Sequence, residues 1–419
     1  IHGNKLRLWE KRALGLSAGE ELDCPGLVKR RGGDPEQFRP LSRIAVDPWL
    51  RHIDAPLPEP IIQLIKRIHS ADLGLVSKVR GLDNQYGFDG QLLYPFRIDA
   101  ELSRLESLHK NSDISYDDYD NTKKLLKDLK PLVTELTKAY DEPCPYVAIL
   151  AADGDRMGEL IDRANSEKDH RNISIVLSGF ANQVASLAAK HHGQLIYAGG
   201  DDVLMLVPLD TMLDCATALA DEFAELWDGI EGFTFDEQNK KPTLSVGIGI
   251  SHMLTPMGRQ LALAREAEQI AKANQHPDLD QRKNGFAILY QPRSGERIEF
   301  REQWSKSPEV TLAHWQKLHA SQELPYRAAY QLRELGRVID GWCNTQHDLL
   351  PKEIQRVMDR KRIEKDKRVE TETIDAICKR GLTLGLSKLA DELVLTQKLT
   401  SHTSFATASV AAEKEGNHA

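Results

Sequence analysis

The chain has 419 residues, 41% of them hydrophobic and 28% charged, the balance of an ordinary globular protein with room for two or three domains. Its net charge of −8 excludes a globally basic surface for nucleic acid, so any RNA contact must come from a local patch or from other subunits. Its five cysteines (Cys24, Cys144, Cys215, Cys343 and Cys378) form no C-x-x-C pair, which excludes a locally spaced zinc knuckle, and their odd count argues against a disulfide framework.

A reducing cytoplasm suits such thiols. No run of about 18 apolar residues is present, so no membrane-spanning helix is expected. The chain opens at Ile1 with no charged-then-apolar leader, and the expectation is a piece of a longer protein rather than a secreted precursor.

Residues 1–145 read as a mainly helical region. It is broken at Arg31-Gly32-Gly33-Asp34-Pro35 and across Pro56 to Pro60, with a charged helix over Tyr119 to Tyr140. No chemical motif stands there. The composition changes at 146. Tyr146 to Ala152 is a continuous apolar run, as expected of a strand buried on both faces. Ile173, Val176, Leu177, Phe180, Val184, Leu187 and Ala188 then recur at helical spacing. Gln194 to Ala198 and Val203 to Val207 predict two short strands joined through Gly199-Gly200-Asp201-Asp202.

A second helical stripe runs from Met212 through Cys215, Leu219 and Phe223 to Trp227, with Asp210 placed to cap its start. A strand is expected over Leu244 to Ile250, a helix over Leu261 to Ala273 and a last strand over Phe286 to Tyr290. The order is β-α-β-β-α-β with an added helix and strand. It predicts an α+β fold of the ferredoxin-like kind, an antiparallel sheet covered by helices on one face. The palm so defined spans 146–291. Residues 292–419 are expected to be helical as far as Leu399, with a solvated charged stretch at Lys352 to Arg368 and a mobile tail after Thr400.

In that topology the first strand lies beside the hairpin. Carboxylates at its end, Asp153-Gly154-Asp155, therefore face those at Gly199-Gly200-Asp201-Asp202. The glycines permit a tight turn and let a triphosphate approach the backbone. Acids gathered in this way repel one another unless a cation lies among them, and hard oxygen donors select Mg²⁺ or Mn²⁺. Two such ions activate a 3′-hydroxyl and stabilise departing pyrophosphate. Asp153 and Asp201 are assigned as metal bridges, and Asp202 as a further ligand or the base. Asp155 is the lesser metal candidate, since the strand is expected to end before it. Lys272 is a phosphate contact or an ordinary surface lysine; spacing alone does not choose. Ser174, expected where the first palm helix begins, is a ribose or phosphate contact or, more commonly for that position, a cap.

A lone D-G-D or G-G-D is a weak signal, as the second Gly-Gly-Asp at Gly32-Gly33-Asp34 shows, since Pro35 follows it and no strand flanks it. The joint pattern of strand, helix and Gly-Gly-Asp-Asp hairpin is the strong one. His347-Asp348 lacks companion ligands at helical spacing and reads as surface, as do His191 and His192.

Three segments carry a resemblance: Tyr146 to Gly158 (YVAILAADGDRMG), Gly193 to Leu209 (GQLIYAGGDDVLMLVPL) and Leu261 to Lys272 (LALAREAEQIAK). They closely resemble the large subunit of type III CRISPR effector complexes, of the Cmr (III-B) kind. Gly26 to Arg30 and Phe38 to Leu50 also look like that family. The resemblance implies a palm that joins ATP into 3′–5′ cyclic oligoadenylates when target RNA pairs with a guide RNA, inside a complex with other Cmr-type subunits and away from any membrane. By the same resemblance Asp201 and Asp202 fall on the family's metal-binding pair, Asp153 on its first-strand acid and Lys272 on its triphosphate-contacting lysine. The family's HD nuclease domain, degenerate first palm and cysteine-rich zinc site are not visible, so no zinc is expected in this stretch.

Three other readings compete with that one. A diguanylate cyclase usually carries Glu-Phe where this turn runs Asp202-Val203, and His192 to Ala198 lacks an Arg-x-x-Asp inhibitory site. A template-dependent polymerase lacks support from any fingers or thumb signal and from the net charge. A catalytically silent ribonucleoprotein scaffold is the third, and a scaffold role can coexist with catalysis.

Overall fold

A computed structural model describes residues 23–31, 38–53, 56–80, 86–237, 239–339, 350–360 and 369–403. Gly32 to Pro35, Cys343, the His347-Asp348 pair, 361–368 and the tail from 404 lie outside the described residues. The chain divides into two compact units, one taking in the described residues up to Cys144 and the other spanning Pro145–Ser404.

The first unit is helical, as the sequence predicts: α1 Cys24–Arg31, α2 Leu41–His52, α3 Glu59–Ser70, α4 Pro95–Lys110 and α5 Tyr116–Tyr140. Local chemistry sets the helix starts. Pro60 stands in the first turn of α3, where a missing N–H costs nothing. The Ser115 hydroxyl caps α5 by accepting from the Asp118 N–H.

The second unit is built on a sheet: β1 Tyr146–Asp155, β2 Gln194–Gly199, β3 Asp202–Val207, β4 Thr243–His252, β5 Gly285–Gln291 and β6 Ile298–Gln303, in the order β2-β3-β1-β4-β5-β6. The four strands β2-β3-β1-β4 pair antiparallel in the ferredoxin-like order. Between them run a short helix α6 Met157–Asp162, then α7 Glu167–Lys190 and α8 Met212–Glu225; α9 Met257–Lys272 follows β4.

The sheet is not wholly antiparallel as expected. β5 pairs parallel to β4, because α9 is a crossover connection and carries the chain back before β5 begins. A second departure is β6, which lies in the stretch expected to be helical and pairs antiparallel with β5. Its Ile298 and Phe300 point inward around an exposed Glu299, a period of two too short to stand out among its charges.

After β6 come α10 Pro308–Ala320, α11 Tyr326–Ile339, α12 Leu350–Arg360, α13 Thr371–Leu384 and α14 Leu386–Thr403. Ser401 to Thr403 belong to α14 rather than to a tail after Thr400. Thr211, not Asp210, occupies the N-cap of α8, and no side-chain cap bond forms there. By length and apolarity α7 passes the test for a bilayer-spanning helix, contrary to the expectation of none. Its buried residues Ile173, Phe180, Val184 and Ala188 nevertheless form the one-sided stripe of a helix packed on a sheet.

Candidate active site

β1 runs two residues beyond its apolar stretch because Gly154 and Asp155 pair with Leu244 and Thr243 of β4. Asp153 therefore stands opposite Ser245, within the sheet rather than on a loop. Beside it, β2 and β3 close on the pair Gly199↔Asp202, leaving Gly200 and Asp201 as a two-residue turn. Gly200 has φ +67°, a left-handed conformation that glycine adopts without the clash a Cβ brings. The Tyr197 ring covers Gly199 so closely that a Cβ there would overlap it.

The turn lies against β1. An ideal Cβ on Gly154 would sit 2.7 Å from the Asp201 Cβ and 2.8 Å from its Oδ2. Burial pushes the Asp201 carboxyl above the usual carboxylate range, and the charges of Asp153 and Asp202 push it further. Burial also raises Asp202, Asp153 adds to the rise, and Arg265 and Lys272 oppose it. These shifts are the electrostatic signature of acids crowded from two strands.

Lys272, at the last turn of α9, reaches into this group. Its ammonium donates to Asp153 Oδ2 at 2.6 Å and lies 2.8 Å from Glu268 Oε1. Burial pulls the Lys272 pKa down, but the hydrogen bonds to the two carboxylates outweigh it and the net shift is upward. Spacing left Lys272 open between a site and a surface role; the geometry puts it among the acids.

Two expected site residues fall elsewhere. Asp155 is buried, and its Oδ2 accepts from the Thr243 hydroxyl at 3.0 Å, the Ser245 hydroxyl at 2.8 Å and the Asn284 N–H at 2.8 Å. Burial raises its carboxyl pKa, with those hydrogen bonds opposing. Far from lying past the strand end, Asp155 is inside it, with its Oδ2 given over to β4 and to Asn284. Ser174 is not at a helix start: α7 begins at Glu167 under a Ser166–Asp169 capping box. Ser174 is exposed and its hydroxyl donates to the His170 carbonyl, an intrahelical bond that needs no ligand.

Two residues at the site escaped the sequence reading, Glu268 and Arg265. Their signal was available in the spacing, four and seven residues before Lys272 on one helical face. Among the described residues no three His, Cys, Asp or Glu side chains form a ready-made metal cage. The acids are crowded, but Asp153 is held by Lys272.

Residues 146–281 match the family model described as Cas10/Cmr2, second palm domain. The chain is 30% identical over 225 residues to the CRISPR system Cmr subunit Cmr2 of Pyrococcus furiosus, covering 46% of this chain and 24% of that protein. It thus spans about a quarter of the curated relative's length. A type III-B Cmr-beta complex in the apo state aligns at 14% identity and a TM-score of 0.43, over 85% of this chain and 46% of that chain. The active GGEEF domain of a diguanylate cyclase from Vibrio cholerae aligns at 20% identity and a TM-score of 0.23, over 31% and 78%. Residues 146–281 thus match a second palm domain of the Cas10/Cmr2 kind, and over 225 residues the chain is similar to a Cmr-type large subunit.

Proposed function

We propose that this chain is part of the large subunit of an RNA-guided type III CRISPR complex in the cytoplasm. In this reading its palm converts ATP into 3′–5′ cyclic oligoadenylates when target RNA pairs with the guide RNA among the other Cmr-type subunits. The observation that carries the reading is the seating of the Asp201 carboxylate on Gly154 of β1, which brings the hairpin acids alongside Asp153.

Asp153, Asp201 and Asp202 would hold Mg²⁺ or Mn²⁺: all are hard oxygen donors, and their mutual repulsion favours a cation among them. Bound there, such ions supply activation of a 3′-hydroxyl and stabilisation of leaving pyrophosphate. The remaining work falls to the chain itself. Asp202 would serve as a further ligand or as the base that takes the hydroxyl proton. Gly200 leaves the turn backbone open to a triphosphate. Lys272 offers its ammonium to phosphate oxygens once Asp153 is otherwise engaged, and Arg265 adds positive charge on the Asp202 side.

The Lys272–Asp153 ion pair is the observation that favours the rival reading of a catalytically silent scaffold. One experiment decides between them. The assembled complex is incubated with ATP and Mg²⁺, with and without target RNA, and the products are identified by mass. RNA-dependent cyclic oligoadenylates support the proposal, whereas a complex that assembles and binds RNA but leaves ATP unconsumed leaves only the scaffold. GTP in place of ATP tests the diguanylate-cyclase alternative.

A further inference from the structure

Asp155 has too many partners to be a spare acid. Its side chain belongs to a residue only 2% exposed. Its Oδ2 gathers three donors from two places: the Thr243 and Ser245 hydroxyls at the start of β4, and the Asn284 N–H just before β5. Its Oδ1 is buried with no hydrogen-bond partner. A carboxylate kept under such conditions costs more than a neutral residue.

What it holds is the α9–β5 junction. Lys283 and Asn284 are both left-handed, at φ 64° and 48°, a conformation that a lysine adopts only when its surroundings hold it. The Lys283 N–H donates to the Lys272 carbonyl at 2.7 Å, and the Gly285 N–H reaches Ser245 Oγ at 3.4 Å. A short path of bonds thus runs from Asp155 through Asn284 and Lys283 to the backbone of Lys272. The Lys272 ammonium is the group that meets Asp153.

We propose that Asp155 is a positioning residue: it locks the Lys283-Asn284 turn and so sets where the Lys272 ammonium lies relative to the acids of the palm. It touches neither metal nor nucleotide. The proposal rests on the nucleotidyltransferase reading for its effect on activity, but not for the bonds themselves.

The test uses Asp155→Ala and Asp155→Asn in the assembled complex, each with Lys272 intact and with Lys272→Ala. Amide hydrogen exchange at 283–285 is read first, since it needs no catalysis. Asp155→Ala should accelerate it, and Asp155→Asn, which keeps an acceptor, should recover much of the protection. The ATP concentration for half-maximal product should rise roughly ten- to a hundred-fold in Asp155→Ala. It should rise no further when Lys272→Ala is added, because both changes remove one function, and the affinity for Mg²⁺ should hold or improve as it does in Lys272→Ala. Unchanged exchange, additive losses with Lys272→Ala, or a weakened affinity for Mg²⁺ would each overturn the assignment. If the parent complex makes no product, the functional reading fails while the exchange result still decides whether Asp155 holds the junction.

Discussion

The Asp201 side chain packs on the bare Cα of Gly154, and a methyl group there would stand 2.7 Å from the Asp201 Cβ. That is below any ordinary carbon–carbon contact. Gly154 is therefore the seat of the hairpin turn, not merely a spacer between two acids. Gly154→Ala must push the turn away from β1 while leaving the sheet paired. We expect a loss of nucleotide polymerisation of about 10²-fold with complex assembly retained. Parallel measurement of product formation and of subunit content by native mass spectrometry checks this; undiminished product would show that the contact is dispensable.

Asp201→Ala with Asp202→Ala removes two of the three crowded carboxylates. Product formation should vanish while guide and target RNA binding remain. The complementary expectation is that EDTA in excess abolishes the parent's activity and that Mg²⁺ or Mn²⁺, but not Zn²⁺, restores it. Labelled-ATP assays with each ion added back decide it, and full activity in EDTA would remove the metal reading.

Lys272→Ala frees Asp153 from its 2.6 Å partner and deletes a phosphate donor. The apparent ATP requirement should rise, whereas the affinity for Mg²⁺ should hold or improve, since a competing cation has gone. Titrating ATP at saturating Mg²⁺ and Mg²⁺ at saturating ATP separates the two. An unchanged ATP requirement would remove Lys272 from the phosphate contacts.

Much of the palm was legible in the sequence. The run Tyr146 to Ala152, the helical stripe ending at Ala188 and the Gly-Gly-Asp-Asp hairpin each express a local rule, either a burial period or a turn requirement. Their combination restricts topology. β6 was hidden because Ile298 to Gln303 is short and half charged. The surroundings of Asp155 are hidden for a different reason. Its partners Thr243, Ser245 and Asn284 are about 90 and 129 positions away in the chain, and only the β1–β4 register brings them to it. Ser174 is misplaced by a helix boundary, since Ser166 starts α7 about two turns before the expected place. Lys272 could be found by its position at a helix end, but the two carboxylates that give it meaning come from β1 and from its own preceding turn.

A buried ion network ties the helices after the palm to β6. Arg380 of α13 donates to Glu302 Oε2 at 3.1 Å and to Glu392 Oε2 at 2.9 Å, and the Trp315 indole N–H donates to Glu392 Oε1 at 2.6 Å. Glu302 and Glu392 are almost fully buried. Arg380→Leu strips Glu392 of its cation and leaves Glu302 only the Lys306 ammonium at 3.1 Å, a change that costs about 3–5 kcal/mol. Urea unfolding of the chain should show a loss of that size. A loss below about 1 kcal/mol, the level of an exposed pair, would mean that water reaches the network.

His319 on α10 sets an acid limit on the same region. Burial pulls its imidazole from the ordinary 6.5 down to about 4, while its Nε2 lies 3.1 Å from the Leu393 carbonyl of α14, an arrangement that a neutral ring donating from Nε2 satisfies. Because the folded pKa lies below the unfolded one, the native state binds fewer protons across this interval. The stability it contributes is complete above about pH 6.5 and drains away as pH falls toward about 4, to a total on the order of 3 kcal/mol at 1.36 kcal/mol per pH unit. His319→Gln keeps a donor for the Leu393 carbonyl without a titrating ring. Stability measured by urea unfolding between pH 7 and 4 should therefore fall less steeply in this variant than in the parent. Parallel curves would place the acid sensitivity in other groups, with His252 and His402, each also depressed to about 4 by burial, the next to replace.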